Sequence, residues 1–126
     1  MAITPKTPGL HHINLRCSNL DAAKKFYSEI IGFPILLEND ELFAFPVGNV
    51  FIVFKKAGDY EQFNPFTIGT DHLAIACESE EELNRVAKGL SDAKVENTGV
   101  KLDPSLQKQY VAFKDPDRIQ WEFYMV

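Results

Sequence analysis

Two of the chain's three histidines stand in matching positions of an internal repeat. His12-Ile-Asn-Leu-Arg-Cys17 returns sixty residues later as His72-Leu-Ala-Ile-Ala-Cys77, with His, an aliphatic pair and Cys at the same offsets. A duplication of this kind brings two imidazoles to equivalent places, and the common chemistry that needs such a pair without a third histidine is metal binding. A carboxylate to complete the set comes from the last strand. There Gln120, Glu122 and Tyr124 fall on one face and Trp121, Phe123 and Met125 on the other, because side chains alternate along a strand. If the polar faces line one concave sheet, His12, His72 and Glu122 converge as a two-histidine, one-carboxylate set, which holds a divalent ion and leaves coordination positions open for chemistry.

Other polar residues share those faces. Asn14 and Arg16 follow His12 at strand spacing, while Gln120 and Tyr124 flank Glu122. They are the expected substrate-binding residues, Arg16 through a carboxylate or phosphate. Lys101 joins them from a loop expected over residues 99–109, read as mobile. Glu122 is the residue on which turnover should depend, as a ligand and not as a free base. His11 has the opposite parity to His12 and is read as packing or supporting the site. Aligning Gly48-Asn49 with Arg118-Ile119 puts Ile52 opposite Glu122 in the repeat. Isoleucine cannot ligate, so three protein donors are expected unless Glu38 or Glu41 reaches in.

The elements that must position these groups follow from periodicity. His12–Cys17 alternates as a strand. Ser18 or Asn19 offers an N-cap, and Leu20, Ala23, Phe26, Tyr27, Ile30 and Ile31 recur at helical spacing before Gly32. Strands are expected at 33–37, 42–45 and 50–54, completing βαβββ. The second half repeats the order. It has a strand at 72–77, a Ser79-x-x-Glu82 capping box, a helical stripe at Leu83, Val86, Ala87 and Leu90, and strands at 94–96, 110–113 and 119–125. The fold class is therefore α+β, with paired βαβββ modules in one domain of residues 1–126. Module one covers about 9–56, a connector about 57–69, and module two about 70–126.

With 126 residues the chain suits one core. A net charge of −5 argues against nucleic acid, which needs a basic stripe, and no apolar run is long enough for a bilayer span. Without a secretion signal, a cytoplasmic setting is expected, and Cys17 and Cys77 read as reduced core residues facing away from the histidines.

Gly9-Leu-His-His-Ile-Asn-Leu-Arg-Cys-Ser-Asn-Leu20, Phe26-Tyr27, Ile31-Gly32-Phe33, Asp71-His72-Leu73 and Asp115-Pro-Asp-Arg-Ile-Gln-Trp-Glu122 together resemble the vicinal oxygen chelate superfamily. That group includes glyoxalase I, extradiol dioxygenases, methylmalonyl-CoA epimerase, fosfomycin-resistance thiol transferases and bleomycin-resistance proteins. The resemblance implies a glyoxalase-like cup of curved mixed sheet around a metal, often in a homodimer, with His12, His72 and Glu122 as ligands. It also implies a small oxygen-rich substrate bound through adjacent oxygens. Fe2+, Mn2+, Zn2+, Ni2+ and Co2+ all accept imidazole and carboxylate, so the ion is left open. The departures bear on the reaction. Ile52 stands where glyoxalase I and the epimerase carry a fourth ligand, Ala112 where dioxygenases and fosfomycin transferases carry tyrosine, and Asn14 where the transferases carry threonine. The alternative is a non-catalytic module that sequesters a small molecule, in the manner of bleomycin-resistance proteins.

Overall fold

A computed structural model describes residues 1–59 and 62–126; residues 60 and 61, in the expected connector, lie outside the described residues. The chain folds as two successive βαβββ modules, each making its own four-stranded mixed sheet. Neither sheet closes into a barrel.

In module one, β1 (His12–Cys17) turns Ile13, Leu15 and Cys17 inward. Asn19 caps α1 (Leu20–Lys25), its Oδ1 accepting from the Ala22 amide at 2.9 Å. The helix continues as a π-helical stretch, Phe26–Ile31, and ends at Gly32, whose φ of 95° suits a residue without Cβ. The wider turn brings two consecutive aromatic residues, Phe26 and Tyr27, into the core. Then come β2 (Leu37–Glu38), β3 (Leu42–Val47) and β4 (Val50–Lys56). Sheet order is β1-β4-β3-β2, with β1 parallel to β4 and the remaining pairs antiparallel.

Module two repeats the plan with β5 (Leu73–Cys77), α2 (Glu80–Asp92), β6 (Lys101–Asp103), β7 (Lys108–Lys114) and β8 (Gln120–Met125), ordered β5-β8-β7-β6. Ser79 accepts from the Glu82 amide, so half of the capping box forms. The Glu82 carboxylate pairs with Arg85 instead of returning to the cap.

Three expectations need correction. Residues 33–37 are not a strand, apart from Leu37. Pro34 has no amide to give a ladder, and Phe33 serves by stacking on Phe45 at 4.8 Å. Residues 94–96 are not a strand either. Lys94 sits at φ 60° just past α2, and the following residues meet β7 at an isolated bridge between Asn97 and Phe113, with Lys114 donating its amide to the Glu96 carbonyl. The expected mobile loop, conversely, contains β6. Asp103 closes the β6–β7 turn, accepting from the Ser105 amide on its side chain and from the Gln107 amide on its carbonyl. Lys101 thus stands on an edge strand.

One apolar cluster joins the modules. Tyr27 from the first half lies against Trp121 from the second, with ring centroids 5.8 Å apart, and Phe26 lies 6.3 Å from Phe113. The Tyr27 hydroxyl donates to Asp115 Oδ2 at 2.6 Å and accepts from Trp121 Nε1 at 2.8 Å. Asp115 Oδ1 accepts from the Asp117 and Ile119 amides, which fixes the turn that launches β8. Glu122 takes its place in β8 from that turn.

Candidate metal centre

Parity delivers the expected faces. His12, Asn14 and Arg16 are exposed while Cys17 is buried, and in module two His72, Ala74 and Ala76 are exposed while Cys77 is buried. Glu122 pairs with Ala74 on one side and Ala112 on the other. Both cross-strand neighbours are alanines, so neither offers its carboxylate a polar partner. Only 8% of Glu122 is exposed, and a carboxylate removed from water requires a positive or hydrogen-bonding partner.

Two partners are present. His72 Nε2 faces Glu122 Oε1 at 3.4 Å, and Gln120 Nε2 donates to Oε2 at 3.3 Å. His72 is turned by Asp71, whose Oδ1 is 2.7 Å from Nδ1. The separation of 3.4 Å is long for a charge-assisted hydrogen bond. It matches two donors that each lie ~2.1 Å from one ion at a tetrahedral angle, which places them about 3.4 Å apart. The donor chemistry and spacing of this pair fit a divalent cation.

His12 is not joined to them within one chain. Its Nδ1 lies 2.9 Å from Nδ1 of His11, and among the described residues no three His, Cys, Asp or Glu side chains cluster closely enough to hold a metal. His11 also packs near Phe51, the residue paired with His12 on β4. Glu38 is paired with Lys24.

The repeat alignment shifts by one residue. His12 pairs with Phe51, and Leu73 pairs with Trp121. The residue matching Glu122 is therefore Val53, partner of Asn14, and Ile52 matches Trp121 in the core. The turn before β8 is longer than the Gly48-Asn49 hairpin, and an offset of one residue exchanges the faces of a strand. Valine is no better a ligand than isoleucine.

The remaining expected residues are distributed as follows. Arg16 donates from Nη1 to the Lys56 carbonyl at 2.9 Å, at the end of β4. Tyr124 donates to Asp103 Oδ2 at 2.7 Å and stacks with Tyr110 at 5.9 Å. Desolvation, then the hydrogen bond to Asp103, pushes the Tyr124 hydroxyl up to about 12, while the same bond lowers Asp103. Lys101 is exposed beside Tyr110 on β6. Sequence reasoning missed Asp71 and Asp103. The signal for Asp71 lay in the repeat itself, because it precedes His72 as His11 precedes His12.

The family model described as the Glyoxalase/Bleomycin resistance protein/Dioxygenase superfamily matches residues 9–123. The chain belongs to this superfamily. Within it, the chain is similar to the uncharacterised protein YwkD of Bacillus subtilis, with 26% identity over 91% of this chain and 94% of that protein. A glyoxalase family protein from Enterococcus faecalis is 26% identical, with a TM-score of 0.79 over 93% of this chain and 97% of the other. Lactoylglutathione lyase from Agrobacterium tumefaciens shares the superfamily fold at a TM-score of 0.77 and 17% identity, over 96% of each chain. One fold carries several reactions in this superfamily.

Proposed function

We propose that this protein is a divalent-metal-dependent enzyme acting on a small oxygen-rich substrate bound through adjacent oxygens. Its site is built from His72 and Glu122 of one copy and His12 of a second copy in a homodimer. The observation that carries this reading is the 3.4 Å approach of His72 Nε2 to the buried Glu122 Oε1. The dimer is supported by the separation of His12 from that pair and by topology, since β1 and the strand after His72 are each at the edge of a sheet. A bound ion would supply Lewis-acid stabilisation of negative charge developing on substrate oxygens.

The chain's own residues supply orientation. Glu122 is committed as a ligand and does not double as a general base. Tyr124 keeps its proton on Asp103 and, with Tyr110, forms a wall of the site instead of acting as an acid. Arg16 has one guanidinium nitrogen bound to Lys56 and the others available to a substrate anion. Asn14 and Lys101 add polar contacts from the opposite face and the rim. The two buried free thiols, Cys17 and Cys77, agree with a cytoplasmic setting.

Metal content of untagged protein purified without chelators, measured by plasma mass spectrometry, tests the reading. About one divalent ion per chain is expected, lost in His72→Ala and in Glu122→Gln with circular dichroism unchanged. A wild-type protein that takes up none of the added Fe2+, Mn2+, Zn2+, Ni2+ or Co2+ overturns it and leaves metal-free sequestration of a small molecule.

A further inference from the structure

We propose that each candidate ligand is aimed by a near neighbour in its own strand segment: His11 holds Nδ1 of His12, Asp71 holds Nδ1 of His72, and Gln120 holds Oε2 of Glu122. His11, Asp71 and Gln120 are thus positioning residues, and Nε2, Nε2 and Oε1 are the three atoms left free to ligate. This rests on the metal reading above and extends it to residues with no direct contact to the ion.

The geometry is consistent across three independent contacts. Nδ1 of His12 lies 2.9 Å from Nδ1 of His11, Nδ1 of His72 lies 2.7 Å from Asp71 Oδ1, and Oε2 of Glu122 lies 3.3 Å from Gln120 Nε2. Both orienting residues of the histidines occupy the position immediately before the ligand. The duplication therefore carries an orienting device together with each imidazole. Each free atom faces away from its holder, and for His72 and Glu122 the two free atoms face one another.

The two histidine holders differ in chemistry. Asp71 accepts from Nδ1–H and brings a negative charge, which selects the tautomer with a lone pair on Nε2 and strengthens that nitrogen as a donor. His11 selects the same tautomer of His12 when its own Nδ1 carries the lone pair, and it adds no charge. The result is an electronically unequal pair, with His72 the stronger ligand. Packing of the His11 ring beside Phe51, 6.3 Å between centroids, keeps this holder in place.

The first test needs no metal. Long-range 15N–1H correlation on the metal-free protein above about pH 8.5, where free imidazole is neutral, reads the tautomer directly. The Nδ1–H form is expected for His72 in wild type. It should give way to the Nε2–H form preferred by free imidazole in Asp71→Ala, and persist in Asp71→Asn, which keeps an acceptor oxygen. Calorimetric titration with Zn2+ alone is the second test. Asp71→Ala and His11→Ala should each weaken binding about 10–100-fold, Gln120→Leu should weaken it less, and Asp71→Asn should recover part of the loss, all with unchanged unfolding midpoints before metal is added. An Nε2–H His72 in wild type overturns the proposal whatever the metal does. Equal Zn2+ affinity in all variants overturns it while leaving the metal reading intact, whereas wild type that binds no Zn2+ or other divalent ion removes both.

Discussion

Tyr27→Phe probes the contact on which the placement of Glu122 depends. The hydroxyl serves two buried groups from the other half of the chain, the Asp115 carboxylate at 2.6 Å and the Trp121 indole N–H at 2.8 Å. None of the three residues is more than 5% exposed, so water cannot replace it. The ring is kept, so no large cavity forms, and the loss is the desolvation penalty of the orphaned Trp121 N–H and of Asp115 Oδ2, while Oδ1 keeps the Asp117 and Ile119 amides. That is about 1–3 kcal/mol for the indole and more for a charged carboxylate, together ~4 kcal/mol at pH 7. For a chain of this size the unfolding midpoint should fall by roughly 15 °C.

The loss also has a signed pH dependence. Burial raises the Asp115 carboxyl above its ordinary value, and the Tyr27 hydroxyl pulls it back by donating to the charged form. A carboxyl raised in the fold favours folding below its unfolded value, and that contribution is lost as pH rises through the folded value. Removing the hydroxyl raises the folded value further. The deficit of the variant should therefore be largest at neutral pH and shrink as pH falls through the raised value toward the ordinary carboxyl range. Urea unfolding of both proteins at pH 7 and pH 4 measures it. A deficit below ~1 kcal/mol at pH 7, or one equal at the two pH values, would refute the reasoning.

Two further outcomes follow from the same geometry. Cys17 is buried beside Asp117 and Asp115, and desolvation, then those charges, pushes its thiol up to about 11; it should resist an aromatic disulfide reagent at pH 8 until the protein unfolds, and labelling of the folded protein at the rate of a free thiol would contradict that burial. Val53 is the register match of Glu122 and lies on the His12 face, so Val53→Glu should tighten Zn2+ binding by about tenfold or more through an added carboxylate, whereas Ile52→Glu should only destabilise the core; tighter binding by Ile52→Glu with no effect of Val53→Glu would restore the alignment read from sequence.

Much of this was legible in the residues. The alternation from His12 to Cys17 and from Gln120 to Met125 made the strands and their faces legible: β1 has one side on the core and one in the open, whereas β8, which lies inside its sheet, has no exposed residue and keeps only the alternation of polar and apolar types. The pairing of His72 with Glu122 followed from parity plus duplication. Periodicity says nothing about ladder partners, and two errors came from that. The segment from Phe33 has strand-like residues but spends them on packing with Phe45. Lys101–Asp103 looked like loop because its hairpin is fixed by hydrogen bonds to Asp103, which no apolar pattern reveals. The Ile52 assignment failed for a sharper reason. Hairpin and turn lengths differ between the halves, and one residue of offset decides which side chains see the site. His12 was named from the repeat, but periodicity does not say whether it meets His72 and Glu122 within one chain or from a second copy, and among the described residues no third donor joins that pair.

The most direct measurement co-expresses His12→Ala and Glu122→Gln copies carrying different tags and determines metal in the purified heterodimer. Each variant alone should be metal-free. The mixed dimer should hold about one ion, because His12 of the Glu122→Gln copy meets His72 and Glu122 of the His12→Ala copy. A heterodimer as empty as its parents would contradict a site shared between copies.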